Sequence, residues 1–477
     1  MNTIRASTVC LLILSICMVK VSAGSEKTFN QLIKKYSDQE IICLDIGEEY
    51  HIKLKGESEK IIRLISVKEH RDSVVKLARW ADVDITVDDK NLHLICAPYV
   101  MPTELDGLRI QADSTSAWHS LPKRVQFSIW DASDPIIHTE RFSFPLSDYA
   151  LFSHGMQAYN EVVHLGWTDG CPGGVAFYHD YGIDFAGYEG RQNIMSCTDG
   201  TVVNFSTERN YLFVNIQDKD GFIWEYGHLD AIAPEVKKGA PIKRRQKIGV
   251  LGKTGPSGNF SHLHLGTYLS KADLDTNKNN RRLNLFPWAI AAYVSQFHRT
   301  LFAVARPHLT VSTGEQVTLD ASRCISFGPE IASYKWILPD GQTINAAKAE
   351  TVFSKPGTYI ATLGIEDERG GKDVDFCTVK VFTASSPERS IPTIFMTQIP
   401  TSNIVVDQPV FFRFWLQGVE NKLINVDFGD GTVIHDYVSY SKIHHGFKSP
   451  GIYIVTARST IEGKPIMQKL KVIVGEK

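Results

Sequence analysis

Short runs in which apolar and polar residues alternate recur along the chain. In Asp84-Ile85-Thr86-Val87 and in Asn91-Leu92-His93-Leu94-Ile95, every second position is apolar. Side chains on a strand project to opposite faces with a period of two, so such runs predict half-buried strands. Two stretches read as helix instead. Residues 25–36 predict a short amphipathic helix. Phe286-Pro287-Trp288-Ala289-Ile290-Ala291-Ala292-Tyr293-Val294 predicts another, with Pro287 in its first turn. The apolar run from Val9 to Val19 follows Arg5 and precedes the small residues Val21-Ser22-Ala23, the pattern of a secretory signal over residues 1–23. That run is shorter than the roughly 20 residues a membrane-spanning helix needs. Ile16, just before Cys17, is too large for lipoprotein anchoring.

Texture divides the rest of the chain. Residues 24–151 are mixed and strand-leaning, with scattered histidines (His51, His70, His93, His119) and no recognisable chemistry. From 152 to 300 glycines cluster, strand-like runs alternate with turns, and histidines fall in tight patterns. The remainder holds an internal repeat, with units at 301–385 and 386–477. One copy has Tyr334-Lys335-Trp336-Ile337-Leu338-Pro339-Asp340-Gly341 followed by Lys355-Pro356-Gly357-Thr358-Tyr359-Ile360. The other has Asn425-Val426-Asp427-Phe428-Gly429-Asp430-Gly431-Thr432 followed by Ser449-Pro450-Gly451-Ile452-Tyr453-Ile454. Each copy is a strand, an Asp-Gly hairpin turn, a Pro-Gly turn and a second alternating strand, which predicts β-sandwiches.

Charge narrows the partners. With 51 basic against 53 acidic residues, the formal charge is −2. A protein that grips a nucleic-acid backbone needs a basic surplus, so that class is excluded. Eight cysteines are present, and Cys10 and Cys17 belong to the leader. The other six fall in sequence order as Cys43/Cys96, Cys171/Cys197 and Cys324/Cys377, each pair within one region. In an exported chain this spacing predicts disulfides or buried thiols rather than a zinc cluster, since no Cys-x-x-Cys occurs. A Cys171–Cys197 bond would tie the glycine-rich stretch 166–174 to the strand after Thr198.

Candidate chemistry lies in four segments: Phe177-Tyr178-His179-Asp180-Tyr181-Gly182-Ile183-Asp184-Phe185, Ile194 to Val203, Trp224-Glu225-Tyr226-Gly227-His228-Leu229, and residues 252–265, which end in Phe260-Ser261-His262-Leu263-His264-Leu265. On a strand, His262 and His264 share a face. A catalytic zinc accepts histidine nitrogens together with a carboxylate such as Asp184, and keeps one position open for water. Gly252-Lys253-Thr254 is not a phosphate loop, because Lys247 stands where the glycine five positions earlier would be.

Together these segments resemble the lysostaphin/LytM-type zinc endopeptidases over residues 178–265. The resemblance implies a mostly β, multidomain chain, with an antiparallel β-sheet metallopeptidase domain at 152–300 and immunoglobulin-like β-sandwiches after it. It implies Zn2+ held by Asp184 and His264, with His228 and His262 as the catalytic histidines and loops 166–174 and 252–259 as groove walls. It also implies action on the peptides of bacterial peptidoglycan. The third ligand is open. The family pattern puts it four residues before Asp184, where Asp180 stands, whereas His179 lies five before and reaches the same face only through a β-bulge. Another cell-surface polymer, such as a polysaccharide, or a non-catalytic scaffold role are the rival readings. The two repeats resemble polycystic-kidney-disease (PKD) domains, the second more closely through its Asp-Phe-Gly-Asp-Gly turn. Their separate cores imply that cleavage of a small substrate does not need them.

Overall fold

The alternating runs are strands in the structure, a computed structural model that describes residues 32–476 except 37, 57–58, 75, 119–120, 156–161, 164–175, 178–181, 209, 277–282, 384–392 and 418–422. The expected leader, Cys171, His179, Asp180 and the 166–174 wall lie outside the described residues.

In the N-terminal region, an antiparallel sheet of five strands runs in the order Leu32–Tyr36, Gln39–Leu44, Val125–Asp131, Leu108–Thr115, Thr103–Leu105. A second sheet holds Glu49–Lys53, Glu59–Arg71, Ala78–Val87 and Lys90–Cys96. Both contribute to one core, with Ile42, Leu44, Leu64, Val83, Ile85 and Phe127 fully enclosed. The helix expected over 25–36 is not what forms where the chain is described. Leu32–Tyr36 is an edge strand, with Tyr36 opposite Gln39 and Lys35 opposite Glu40. A tight hairpin onto an existing sheet satisfies its backbone, whereas so short a helix carries its nucleation cost alone.

Of disulfides and buried thiols, the structure shows thiols. Cys43, Cys96, Cys324 and Cys377 are thiols, not disulfide partners, and Cys197 is a buried thiol. Cys96 faces the core of the N-terminal region together with Ile42 and Leu44. Cys43, between those two residues, therefore points out of the opposite face of its strand. Cys324 and Cys377 turn their sulfurs to the backbone of Val304 and Pro307 respectively.

The middle region is built on an antiparallel six-stranded sheet in the order Gly182–Ala186, His262–Tyr268, Ile223–Gly227, Val214–Gln217, Gly200–Phe205, Pro241–Ile242. A smaller sheet joins Asn193–Met195, Lys247–Leu251 and Leu229–Ile232. The expected helix forms as Phe286–Phe297, with proline in its first turn, and Trp288 packs 5.7 Å from Trp224 of the main sheet. The same core takes in Phe142, Phe144, Leu146, Tyr149 and Phe152, so the chain from 137 to 152 packs with this region. No helix among the described residues is long and apolar enough to cross a membrane.

The two C-terminal units repeat one topology. The larger sheet of the first runs Leu309–Ser312, Lys372–Phe382, Gly357–Asp367, Ile331–Ile337, Thr343–Ile344. That of the second runs Ile404–Val405, Lys464–Gly475, Gly451–Ile461, Leu423–Asp427, Val433–Val438. In each, the first strand pairs parallel with the last. The glycines of the two Asp-Gly turns, Gly341 and Gly431, sit at φ 91° and 94°, a conformation that costs a residue with a Cβ far more. Each unit encloses its own core. A period of two also joins the first unit to the middle region: Leu301, Ala303 and Ala305 face the sandwich core, while Phe302 and Val304 face the other way, into the core around Trp288.

Candidate active site

Ile183 and Phe185 are fully buried in the core beneath the six-stranded sheet, as are Leu263 and Leu265 on the neighbouring strand. Alternation therefore brings Asp184, His262 and His264 out on the opposite face. Register does the rest: Asp184 lies directly across from His264, and Gly227 flanks His264 on the other side. His264 Nδ1 is 2.8 Å from Asp184 Oδ1, and His262 Nε2 is 3.6 Å from the same oxygen.

His228 arrives by a different route. It follows the strand Ile223–Gly227 with φ at 60°, a left-handed conformation that costs a non-glycine residue roughly 1–3 kcal/mol and clusters at functional sites. The turn sets its ring 4.5 Å from that of His262 and 6.1 Å from that of His264. Thr254 anchors it, its carbonyl lying 2.7 Å from His228 Nδ1. The Thr254 hydroxyl donates to Leu229 O and accepts from Leu212 N. Gly227 admits this closeness, because a Cβ there would lie 2.8 Å from the Tyr211 hydroxyl and 3.4 Å from His264 Cβ.

Two backbone carbonyls set the protonation pattern. His262 Nδ1 is 2.8 Å from Phe260 O, and His228 Nδ1 faces Thr254 O. A carbonyl only accepts, so in both rings Nδ1 carries the hydrogen and Nε2 is the acceptor nitrogen. Asp184, His228 and His262 are each less than a tenth exposed, so the cluster works largely shielded from bulk water, where charge interactions are stronger.

The structure thus brings together Asp184, His228, His262 and His264, while His179 and Asp180 lie outside the described residues. The 252–259 stretch adjoins the cluster through Thr254. Two neighbours were missed in the sequence. The Tyr211 ring lies 5.3 Å from that of His228 and blocks any side chain at Gly255, where an added Cβ would meet it at 2.4 Å; nothing in the spacing points to it. Phe260 stacks on His262 at 4.5 Å and 19°, and its signal was present, two positions before His262 on the same alternation. Elsewhere Asp38, Asp134 and His138 also bring donor atoms together. There Lys55 donates to Asp134 and lies 4.0 Å from Asp38, so that charge is already offset.

A carboxylate and histidine nitrogens meeting on one face of an antiparallel sheet are the makings of a metallohydrolase. The comparisons with known proteins agree. Residues 178–276 match the model of Peptidase family M23, and residues 302–381 match that of the PKD domain. The chain thus contains an M23 domain, of a family of metallopeptidases, followed by a PKD domain. The PKD match falls on the first sandwich, whose turn departs more from the Asp-Phe-Gly-Asp-Gly pattern. An uncharacterized metalloprotease of Buchnera aphidicola subsp. Baizongia pistaciae is 40% identical over 92 residues, 19% of this chain and 23% of that protein. Collagenase ColA of Clostridium perfringens is 30% identical over 112 residues, 22% of this chain and 10% of that protein. The chain therefore spans less than a quarter of the length of these curated relatives. The solved catalytic domain of the prophage-encoded M23 protein EnpA from Enterococcus faecalis is 25% identical, with 22% of this chain and 77% of that one covered and a TM-score of 0.18.

Proposed function

We propose that this protein is a secreted zinc-dependent endopeptidase that hydrolyses peptide bonds of bacterial peptidoglycan. The observation that carries the reading is the convergence of Asp184 and His264 with His262 and His228 on one sheet face of an M23 domain. The donor set fits the metal: a carboxylate oxygen and an imidazole nitrogen, 2.8 Å apart, are ligands that zinc accepts. Asp184 and His264 would hold it with His179, or with Asp180 if there is no bulge. When bound, zinc supplies a Lewis acid that polarises the scissile carbonyl and lowers the pKa of water toward about 7.

The protein's own groups do the rest. His262 and His228 each present Nε2 as a base, because a backbone carbonyl occupies the hydrogen on Nδ1. One takes the proton from the attacking water. The other, which has first taken up a proton from solvent at Nε2 and keeps it, donates a hydrogen bond to the oxygen on which negative charge develops. The proton taken from the water is then passed to the leaving amine. Burial of both rings keeps bulk water from competing for these hydrogen bonds. Secretion rests on the leader pattern of residues 1–23, and the peptidoglycan substrate on the resemblance to lysostaphin/LytM-type enzymes.

The test is hydrolysis of purified peptidoglycan, with and without a chelator. New amino groups that disappear with the chelator are expected; unsaturated uronates from acidic polysaccharides, with no new amines, would move the site to the polysaccharide reading. His264→Ala is expected to lose the metal, and His262→Ala to keep it while losing roughly a hundredfold or more in turnover. Stoichiometric zinc in His264→Ala overturns the ligand assignment. The same metal measurement on His179→Ala and Asp180→Ala identifies the third ligand.

A further inference from the structure

The second sandwich does not stand clear of the site. Its strands Thr393–Ile399 and Val410–Gln417 turn Ile394, Met396, Phe412, Phe414 and Leu416 into the sandwich core. Phe395 and Trp415, on the opposite face, form a separate buried cluster with Ala186 and Phe260 of the peptidase region. Ala186 ends the Asp184 strand, and Phe260 lies two residues before the first residue of the His262 strand.

The rings form a chain of contacts, stacked except where Trp415 tilts at 41° to Phe395. Phe260 lies 4.5 Å from His262 at 19°, and Phe395 lies 5.5 Å from Phe260 at 21°. Trp415 follows at 5.2 Å from Phe395, and Tyr440 at 5.7 Å from Trp415. Tyr440 then returns to the peptidase region, its hydroxyl accepting a 2.7 Å hydrogen bond from Asn259 and its ring lying 5.4 Å from Lys253 Nζ. The stretch 252–260 is thus held near both of its ends by residues of the second sandwich. Phe260 matters twice, since its carbonyl receives the His262 Nδ1 hydrogen and its ring packs on the same imidazole.

We propose that the second sandwich is a working wall of the active site: Phe395, backed by Trp415 and Tyr440, is a positioning residue that holds Phe260 and so sets the orientation of His262. Bond cleavage itself, and not only delivery to a polymer, then depends on this domain. The proposal rests on the peptidase reading for its catalytic consequence and on geometry alone for the clamp. It replaces the expectation that the sandwiches are dispensable with a small substrate.

The experiment uses the full chain with Phe395→Ala, which leaves the sandwich core residues untouched, and Phe395→Tyr, which keeps the ring. With a small soluble peptide, Phe395→Ala is expected to lower kcat roughly ten- to hundredfold, the scale of a reacting group slightly misplaced. KM and bound metal stay near their wild-type values, and Phe395→Tyr recovers most of the rate. Amide hydrogen exchange is measured in parallel. It should rise across residues 252–262 in Phe395→Ala and in Tyr440→Phe, while the strand Gly451–Ile461 keeps its protection. Wild-type kcat in Phe395→Ala, or unchanged exchange at 252–262, overturns the proposal. If the wild-type chain cleaves no peptide, the peptidase reading fails, and the exchange result still decides the clamp.

Discussion

The first sandwich joins the rest of the chain through the apolar side chains of Phe302 and Val304 and, beside them, through buried charge. Arg306 and Asp375 form an ion pair with both side chains fully enclosed. The same guanidinium lies 4.7 Å from the Phe152 ring and 5.6 Å from that of Tyr99, and donates to His154 O. Asp373 beside it accepts from Arg299, from Lys471 and from the amide of Ala303. In the second sandwich, contact with the active-site side runs through the outward rings Phe395 and Trp415. The two units share a strand order, so the difference lies in what their outer faces carry. A buried ion pair tolerates one geometry and is costly when broken, which suits fixing how domains dock. Stacked rings supply area and orientation without a desolvated charge, which suits a wall pressed against the His262 imidazole. The first attachment is a lock for the assembly, and the second acts on the site.

The contrast is broken most forcefully at Asp375. Asp375→Ala leaves the Arg306 guanidinium buried without its carboxylate, and the expected loss is about 3–5 kcal/mol of stability. Denaturant unfolding of the full chain measures it. Replacing Arg306 and Asp375 together by methionine and leucine should recover much of the loss, because the orphaned charge is gone. A single-variant loss below about 1 kcal/mol, the scale of an exposed pair, would mean that this ionic contact locks nothing.

Acid probes the same lock more gently. His154 and His308 lie beside Arg306, and burial, followed by the charge of Arg306, pushes each down to about 3 from an ordinary 6.5. His308 is built as a neutral ring, donating from Nε2 to Gly155 O and accepting the Thr378 amide at Nδ1. A lowered histidine pKa means that the unfolded chain binds more protons than the folded one below pH 6.5. Stability is therefore complete above that value and falls as the pH drops toward 3. Between pH 6.5 and about 5, each histidine should cost roughly 2 kcal/mol. Unfolding midpoints across that range should slope accordingly, and His308→Gln should remove part of the slope. A flat profile would remove the charge-based half of the comparison.

How much of this was legible in the sequence depends on the range of the contact. His262 and His264 are readable as a pair because strand alternation puts them on one face; the place of Asp184 beside them rests on the resemblance to lysostaphin/LytM-type enzymes, and the register that sets it across from His264 appears only in the structure. His228 was found by its segment, but its position depends on a left-handed backbone that no periodicity reveals. Phe142, Phe144 and Tyr149 join the core beside Phe185 although they precede the histidine-rich stretch. The cysteine pairs were proposed from their order along the chain, and Cys43 fails because one step on a strand reverses the face. Phe395 was beyond reach: Phe260 meets it only after two separate domains have folded and docked, and its alternation reads as an ordinary strand.

The smallest expected effect is at Arg413, where the second sandwich has its own ionic contact. Arg413 lies 3.2 Å from Glu189 and 4.6 Å from the Tyr188 ring, just beyond the Asp184 strand. Both side chains of the pair are a fifth to a quarter exposed, so water and salt screen it. Glu189 is not stranded by its loss either, because Lys253 Nζ lies 3.3 Å away. Arg413→Ala should cost under about 1 kcal/mol for the ion pair, plus roughly 0.5–1 kcal/mol for the contact with the tyrosine ring. The ion-pair share should shrink in high salt. Stability at low and high salt, beside kcat on the small peptide, reads both quantities. If Arg413→Ala slows cleavage as much as Phe395→Ala does, the second sandwich is gripped by charge like the first, and the distinction between the two attachments is lost.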